Sequence, residues 1–338
     1  MNSNSLNVSE LNNTSHHTSS ILETLSLPQA ETEWYALLQA HIQNQAMHPI
    51  MKGISVSLNL LNKISTKQAG NKAFGLWFTP QSKPIRDEDK DWLDQAEISH
   101  ISVNRIRSGK TKDVRLANVP VYRWNHEHNQ NGEKILCTHG WGGHAGQFTQ
   151  LAKHLVAQGY QVMSFDLPGH GRAEGKSSNL AEMSLIVEQL IATEGKFKAI
   201  IAHSLAGAGV NNALNQQHTK ACDKLVVLNA PMSLDHMVHT FKHQLNLDTE
   251  IIDQHKQKLV DTFGSQVWSN FDLRNNQHHT PTLWCYDKND DQVPFQVADY
   301  LHHQNNQSVL IETEKLGHNK AVRNEQVIKQ ITDYLESH

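Results

Sequence analysis

Ser204 stands in the run Ala202-His203-Ser204-Leu205-Ala206, with one small residue two places before it and another two places after. The run follows Phe197-Lys198-Ala199-Ile200-Ile201, an apolar stretch that reads as a buried parallel strand. It precedes Gly207-Ala208-Gly209-Val210-Asn211-Asn212-Ala213-Leu214, which is small-residue-rich and helical in pattern. A serine in such a strand-to-helix turn presents its hydroxyl outward, and small neighbours keep the tight turn free of collisions. The hydroxyl is a poor nucleophile alone, so the chemistry also requires a base to take its proton and a carboxylate to orient that base.

Other strand ends supply those groups. Lys134-Ile135-Leu136-Cys137-Thr138 ends in His139-Gly140-Trp141-Gly142-Gly143, and Gln161 to Phe165 runs into Asp166-Leu167-Pro168-Gly169-His170-Gly171. Leu283-Trp284-Cys285-Tyr286 leads to Asp287-Lys288-Asn289-Asp290-Asp291-Gln292-Val293-Pro294. Ser308-Val309-Leu310-Ile311-Glu312 is followed by Leu316-Gly317-His318. Glycine loop, serine, acid and histidine therefore succeed one another along the chain. With that order, the sequence from about residue 98 to the C-terminus resembles the α/β-hydrolase superfamily, on its serine esterase and lipase side. It departs from the usual pattern in having Ala202 and Ala206 where glycines are customary.

The resemblance implies a role for each motif. Ser204 is the expected nucleophile and His318 its base. Asp290, four residues before Pro294, is the expected acid. Asp287 and Asp291 stay open as neighbours in sequence, and Asp235 as a remoter alternative. Asp287, nearest the strand, has the least reach toward the histidine loop. The backbone N–H groups of Leu205 and Trp141 are the expected oxyanion donors, each worth about 2.7–4 kcal/mol of barrier. Trp141 would also wall the acyl pocket, with Gly140, Gly142 and Met232 as further substrate contacts. His203 and the loop at Asp166 read as structural. The mechanism needs no cofactor and no metal, and His16-His17, His278-His279 and His302-His303 lack the spacing of a ligand set.

Composition narrows the class. The chain has 338 residues, a formal net charge of −4 and 38% apolar residues concentrated in discrete strands. No basic face points to nucleic acid. The 23 histidines would reverse the sign of the net charge below roughly pH 6. Cys137, Cys222 and Cys285 lie in or beside expected core strands, which suits reduced thiols in the cytoplasm better than disulfides. The N-terminus lacks a signal-peptide pattern, and no apolar run is long enough to cross a membrane.

The elements that must position these residues follow from the pattern. Residues 1–30 are Ser-, Asn- and Thr-rich and read as a disordered tail. Residues 31–95 read as a helical extension: Trp34, Leu37, Leu38 and Ile42 recur at helical spacing, then Ile50, Met51, Ile54, Leu58 and Leu61 after a break at Pro49. That extension is expected to pack on the body, with weak membrane-surface contact through residues 50–64 as the other reading. Two antiparallel strands follow, Ile98 to Ile106 and Val114 to Trp124, joined by a turn at Ser108-Gly109-Lys110. From there strands alternate with helices at 148–158, 180–193, 207–216, 297–303 and 324–337. The expected fold is thus α/β, a doubly wound and mostly parallel sheet, in a domain spanning 96–338. Residues 232–280 exceed what one crossover needs, and by the resemblance they form a helical cap over the active site. The expected activity is cofactor-independent hydrolysis of a small-molecule carboxylic ester through an acyl-enzyme. Acyl transfer, lactone or thioester hydrolysis, and ligand binding without turnover stay open beside it.

Overall fold

The structure, a computed structural model, describes residues 34, 36–38, 40, 41, 49–105, 116–126, 132–305 and 307–337. The tail at 1–30, Ile42 and the turn at 108–110 lie outside the described residues. Among the described residues eight strands form one sheet: β1 Glu97–Asn104, β2 Leu116–Trp124, β3 Lys134–Thr138, β4 Gln161–Phe165, β5 Phe197–His203, β6 Cys222–Leu228, β7 Thr282–Asp287 and β8 Val309–Thr313. Their spatial order is β1-β2-β4-β3-β5-β6-β7-β8. The β1–β2 and β2–β4 pairs are antiparallel and every other pair is parallel. The central strands are near-continuous apolar runs because helices cover both of their faces.

Among the described residues the helices of eight or more residues are α1 Pro49–Ile64, α2 Thr66–Trp77, α3 Asp87–Asp94, α4 Thr149–Ala157, α5 Leu180–Glu194, α6 Ala206–Asn215, α7 Leu234–Gln244, α8 Thr249–Phe263, α9 Gln296–His303 and α10 Glu325–Glu336. On one face of the sheet, Met183, Ile186 and Val187 of α5 pack with Val210 of α6 and Val297 of α9. On the other, Leu93 of α3, Leu151 and Leu155 of α4 and Ile331 of α10 pack on Ile135, Cys137 and Ile201. Parallel strands place all their carboxyl ends on one edge, and the four loops singled out from the sequence leave from that edge.

A third apolar cluster joins parts of the chain that are far apart in sequence. Leu58, Ala69, Ala73 and Phe74 of α1 and α2 pack with Met237, Val238, Ile251, Ile252 and Leu259 of α7 and α8. Polar contacts pin the same junction: Asn59 Nδ2 donates to the Asn246 carbonyl at 2.8 Å, and its Oδ1 accepts from the Asp248 N–H at 3.1 Å. Gly70 lies so close to α8 that a Cβ there would stand 2.5 Å from Gln254 Cβ. The extension thus packs on segment 232–280. Helix α1 turns Leu58 inward, while Ile50, Val56, Leu60 and Ile64 remain exposed. Among the described residues no helix is long and apolar enough to cross a membrane.

His255 of α8 is wholly buried at this junction, 5.1 Å from the Trp77 ring and 5.7 Å from Phe241, with both ring nitrogens unpartnered. Burial, reinforced by Lys256 and Lys258, lowers its pKa to about 4. Its unfolded value is near 6.5, so in that window the unfolded chain binds more protons and stability falls as pH falls. Each unit between the two values is worth ~1.4 kcal/mol. The melting temperature should therefore drop between pH 7 and pH 5, and His255→Phe should recover roughly 2–4 °C at pH 5. Melting curves of the two proteins at both pH values measure this.

Candidate active site

Ser204 follows β5 directly and has φ +56°, in the left-handed region. Such a conformation costs a non-glycine residue about 1–3 kcal/mol and needs support from its surroundings. The support is steric and hydrogen-bonded. The Ser204 N–H donates to the Leu228 carbonyl at 2.8 Å, and its carbonyl accepts from the Gly207 N–H at 2.9 Å, opening α6. A Cβ on Gly207 would stand 2.6 Å from Ala230 Cβ, and one on Gly140 would stand 2.7 Å from Ser204 Cβ. Alanine serves at 202 and 206, where both side chains are fully buried.

His318 reaches Ser204 from the β8 edge. Its Nε2 lies 2.8 Å from Ser204 Oγ, and its Nδ1 lies 2.8 Å from Asp290 Oδ2. A carboxylate oxygen only accepts, so Nδ1 carries the proton and Nε2 is free to accept from the serine hydroxyl. Asp290 is itself fixed: its Oδ1 accepts the N–H groups of Gln292 at 2.7 Å and Val293 at 3.0 Å. Its side chain is 0% exposed and that of His318 is 5% exposed. Asp291 is exposed, and Asp235 is engaged with Lys256 Nζ at 2.6 Å.

Asp287 differs from its sequence-based expectation. It does reach the histidine loop, but its partners there are backbone groups. Its carboxylate accepts from the N–H groups of Leu316 and Gly317, both at 3.0 Å, from the Thr313 hydroxyl at 2.8 Å and from the Asn289 N–H at 2.9 Å. Burial would raise its pKa, but these four donors outweigh burial and hold it below the ordinary carboxylate value. Two further residues that the sequence did not single out for this loop complete the clamp. The His318 carbonyl accepts from Asn229 Nδ2 at 3.1 Å and from His203 Nε2 at 2.7 Å. His203 Nδ1 in turn accepts from Gln147 Nε2 at 2.8 Å, and burial, with His318 nearby, keeps that ring neutral, with a pKa of about 3.

The glycine loop lies beside the serine. Trp141 and Leu205 are half-buried, and neither backbone N–H donates to an acceptor among the described residues. His139 holds the loop from below: its Nδ1–H donates to the Gly140 carbonyl at 2.8 Å, and its Nε2 accepts the Leu167 N–H at 3.1 Å. Asp166 accepts from the Tyr122 hydroxyl and from the N–H groups of Ala145 and Arg172.

A cavity of about 360 Å³ opens onto Ser204 and His318. Its walls include Trp141, Gly142 and Leu205, then Leu76, Trp77 and Phe78 from the N-terminal extension, and Phe241, Leu259 and Phe263 from α7 and α8. Gly140 is tucked beneath, against Ser204. Met232 is a correction: it is buried in the core, 3% exposed, and Pro231 takes the place on the wall. Residue 232 follows a strand end, and the sequence does not reveal which of two adjacent side chains turns outward there. Among the described residues no group of three or more His, Cys, Asp or Glu is placed to hold a metal ion.

The family model described as "Serine aminopeptidase, S33" matches residues 129–309, more than half of the chain. The chain belongs to this family. Family membership accords with similarities to two curated relatives. One is the monoacylglycerol lipase of Mycolicibacterium smegmatis, 29% identical over 92 residues, 25% of this chain and 32% of that protein. The other is a pimeloyl-(acyl-carrier protein) methyl ester esterase of Xanthomonas oryzae pv. oryzae, 36% identical over 63 residues, 19% of this chain and 24% of that protein. The chain thus spans about a third or less of these relatives' length. Among solved structures, an esterase of Pyrococcus furiosus superposes with a TM-score of 0.52 at 16% identity, covering 77% of this chain and 96% of that one. A bromoperoxidase from Bacillus anthracis gives 0.52 at 17% identity, covering 71% and 100%. At such identities the likeness is one of fold, and the family's fold here is that of the α/β hydrolases.

The four donors on Asp287 carry a testable consequence. Asp287→Asn would turn an amide NH₂ toward N–H or O–H donors and leave buried groups unpaired, at about 1–3 kcal/mol each. We expect its melting temperature to fall by roughly 4 °C or more. A melting point equal to wild type would remove Asp287 from its anchoring role.

Proposed function

We propose that the protein is a serine hydrolase that cleaves a carboxylic ester through an acyl-enzyme on Ser204. The observation that carries this is the relay Ser204 Oγ–His318 Nε2 and His318 Nδ1–Asp290 Oδ2, both links at 2.8 Å. Ser204 Oγ attacks the ester carbonyl carbon while its proton passes to His318 Nε2. Asp290 holds the tautomer and stabilises the imidazolium. The carbonyl oxygen becomes an anion beside the unpaired N–H groups of Leu205 and Trp141. Collapse of this intermediate breaks the bond to the alcohol oxygen, which takes the proton from His318. Water then attacks the acyl carbon and gives its proton to His318. Release of the acid returns a proton to Ser204 Oγ. No cofactor takes part in this scheme.

The acyl group would lie against Leu76, Trp77, Phe78, Phe241 and Phe263, aromatic and aliphatic walls suited to a hydrocarbon chain. In this reading the cap is composite. Helices α7 and α8 form one half and the N-terminal α1 and α2 the other. The exposed Ile50, Val56, Leu60 and Ile64 on α1, a helix without acidic side chains, support a weak membrane-surface contact. Three free, buried cysteines support a reducing compartment such as the cytoplasm.

Turnover of an aryl ester tests the scheme. Ser204→Ala should lower kcat by roughly 10⁶. Asp290→Asn should lower it by about 10⁴, because the imidazole then takes the wrong tautomer. Folded variants that keep wild-type rates would refute these assignments.

A further inference from the structure

We propose that Lys83 forms an anion-recognition site at the serine end of the cavity, and that the substrate is an acyl ester whose alcohol portion carries a phosphate or carboxylate. The substrate half of this rests on the ester-hydrolase reading above, whereas the anion site does not.

Lys83 shares the cavity wall with Ser204, Trp141, Gln292 and His318, and it is the only Lys, Arg, Asp or Glu on that wall among the described residues. Its loop is built onto the glycine loop. The Lys83 N–H donates to the Gly142 carbonyl at 2.9 Å, and Ser82 Oγ donates to the Gly169 carbonyl at 2.7 Å. The Gln81 carbonyl packs on Gly142 so closely that a Cβ there would stand 2.8 Å away. The ammonium donates to Asn319 Oδ1 at 3.1 Å, on the residue next to His318. A neutral amide uses one of its three N–H groups and leaves its charge unbalanced.

Three carboxylates of the neighbouring elements, Asp89, Glu88 and Asp166, are engaged elsewhere. Asp89 is paired with Arg86 and Arg323, and Glu88 with the same two arginines. Asp166 is taken by Tyr122 and two backbone N–H groups. Lys83 stands near enough to His144 and His203 that its charge adds, after burial, to the causes that lower both pKa values.

The wall therefore offers two chemistries, one charged and one apolar. A charged group cannot enter the wall made by Leu76, Trp77, Phe78 and Phe263 without a large desolvation cost, so that wall takes the hydrocarbon. With the acyl chain there and its carbonyl at Ser204, the alcohol portion faces Gln81 and Lys83. An anion on it meets a point charge of opposite sign, and a cation there meets repulsion. When the acyl–oxygen bond breaks and the alcohol takes the proton from His318, the anion leaves with the alcohol.

Two readouts test this. In the first, calorimetry on wild type, Lys83→Gln and Lys83→Glu measures binding of octyl phosphate, octanol and octyltrimethylammonium. Octyl phosphate should bind wild type best of the three. Its affinity should fall about tenfold in Lys83→Gln, the loss of one charge-assisted contact, and further in Lys83→Glu, where the ammonium probe gains. Equal octyl phosphate affinity in all three proteins would overturn the anion site. In the second, kcat/KM is compared for octanoyl esters of glycerol, glycerol 3-phosphate and lactate. The anionic-to-neutral ratio should exceed one in wild type and fall below one in Lys83→Glu, with the phosphate and lactate arms showing which anion is preferred. A ratio unchanged among the three proteins would overturn the substrate class. Lys83-dependent binding of octyl phosphate with no cleavage of any ester would refute the hydrolase reading and leave the anion site standing.

Discussion

The imidazole of His318 can face Ser204 only because the backbone that carries it is clamped. Asp287 accepts the two N–H groups that precede His318 in the chain, and Asn229 and His203 donate to the His318 carbonyl. These partners come from the ends of β5, β6 and β7, so the loop after β8 is tied to three neighbouring strands at the edge where all of them finish. A histidine on an untethered loop would lose rotamer and backbone freedom on each approach to the serine. Here that entropy is already spent in folding. The strained φ of Ser204 depends on the same edge, since its N–H is held by the last residue of β6. Moving any of these strand ends would disturb both partners of the 2.8 Å contact.

Much of this arrangement was legible in the sequence. Apolar runs ended by glycine or polar loops locate the carboxyl ends of the parallel strands to within two residues, and a parallel sheet then obliges those ends to converge. Convergence places Ser204, Asp290 and His318 together whatever the details of packing. The offset of Asp290 from Pro294 corresponds to a turn in which its Oδ1 caps the N–H groups of Gln292 and Val293. That turn orients the carboxylate toward the histidine loop.

What was not legible involves contacts without local signature. Asn229 and His318 are 89 residues apart, and an asparagine after a strand gives no sign of its partner. Asp287 was read as falling short of the histidine loop, whereas three of its four partners there and beside it are backbone N–H groups, which every residue but proline carries alike. Met232 was expected on the wall and Pro231 is found there, because a one-residue change of direction reverses which side chain faces the cavity. The contribution of α1 and α2 to the cavity was hidden for another reason. Amphipathic spacing shows that a helix buries one face but not what it buries it against, and here the partner is α8, nearly two hundred residues away. The cavity thus joins helices of the N-terminal extension and of segment 232–280 over one sheet edge, with an apolar wall and, among the described residues, a single lysine on it.

In the proposed mechanism Ser204 Oγ is the atom that becomes acylated. A fluorophosphonate forms a stable phosphorus–oxygen bond to such a serine, so intact mass followed by peptide mapping tests the claim directly. One equivalent of label is expected, on the peptide containing Ser204, with none on Ser204→Ala and much slower labelling of His318→Ala. Labelling that persists in Ser204→Ala, or that maps to a different serine, would contradict it.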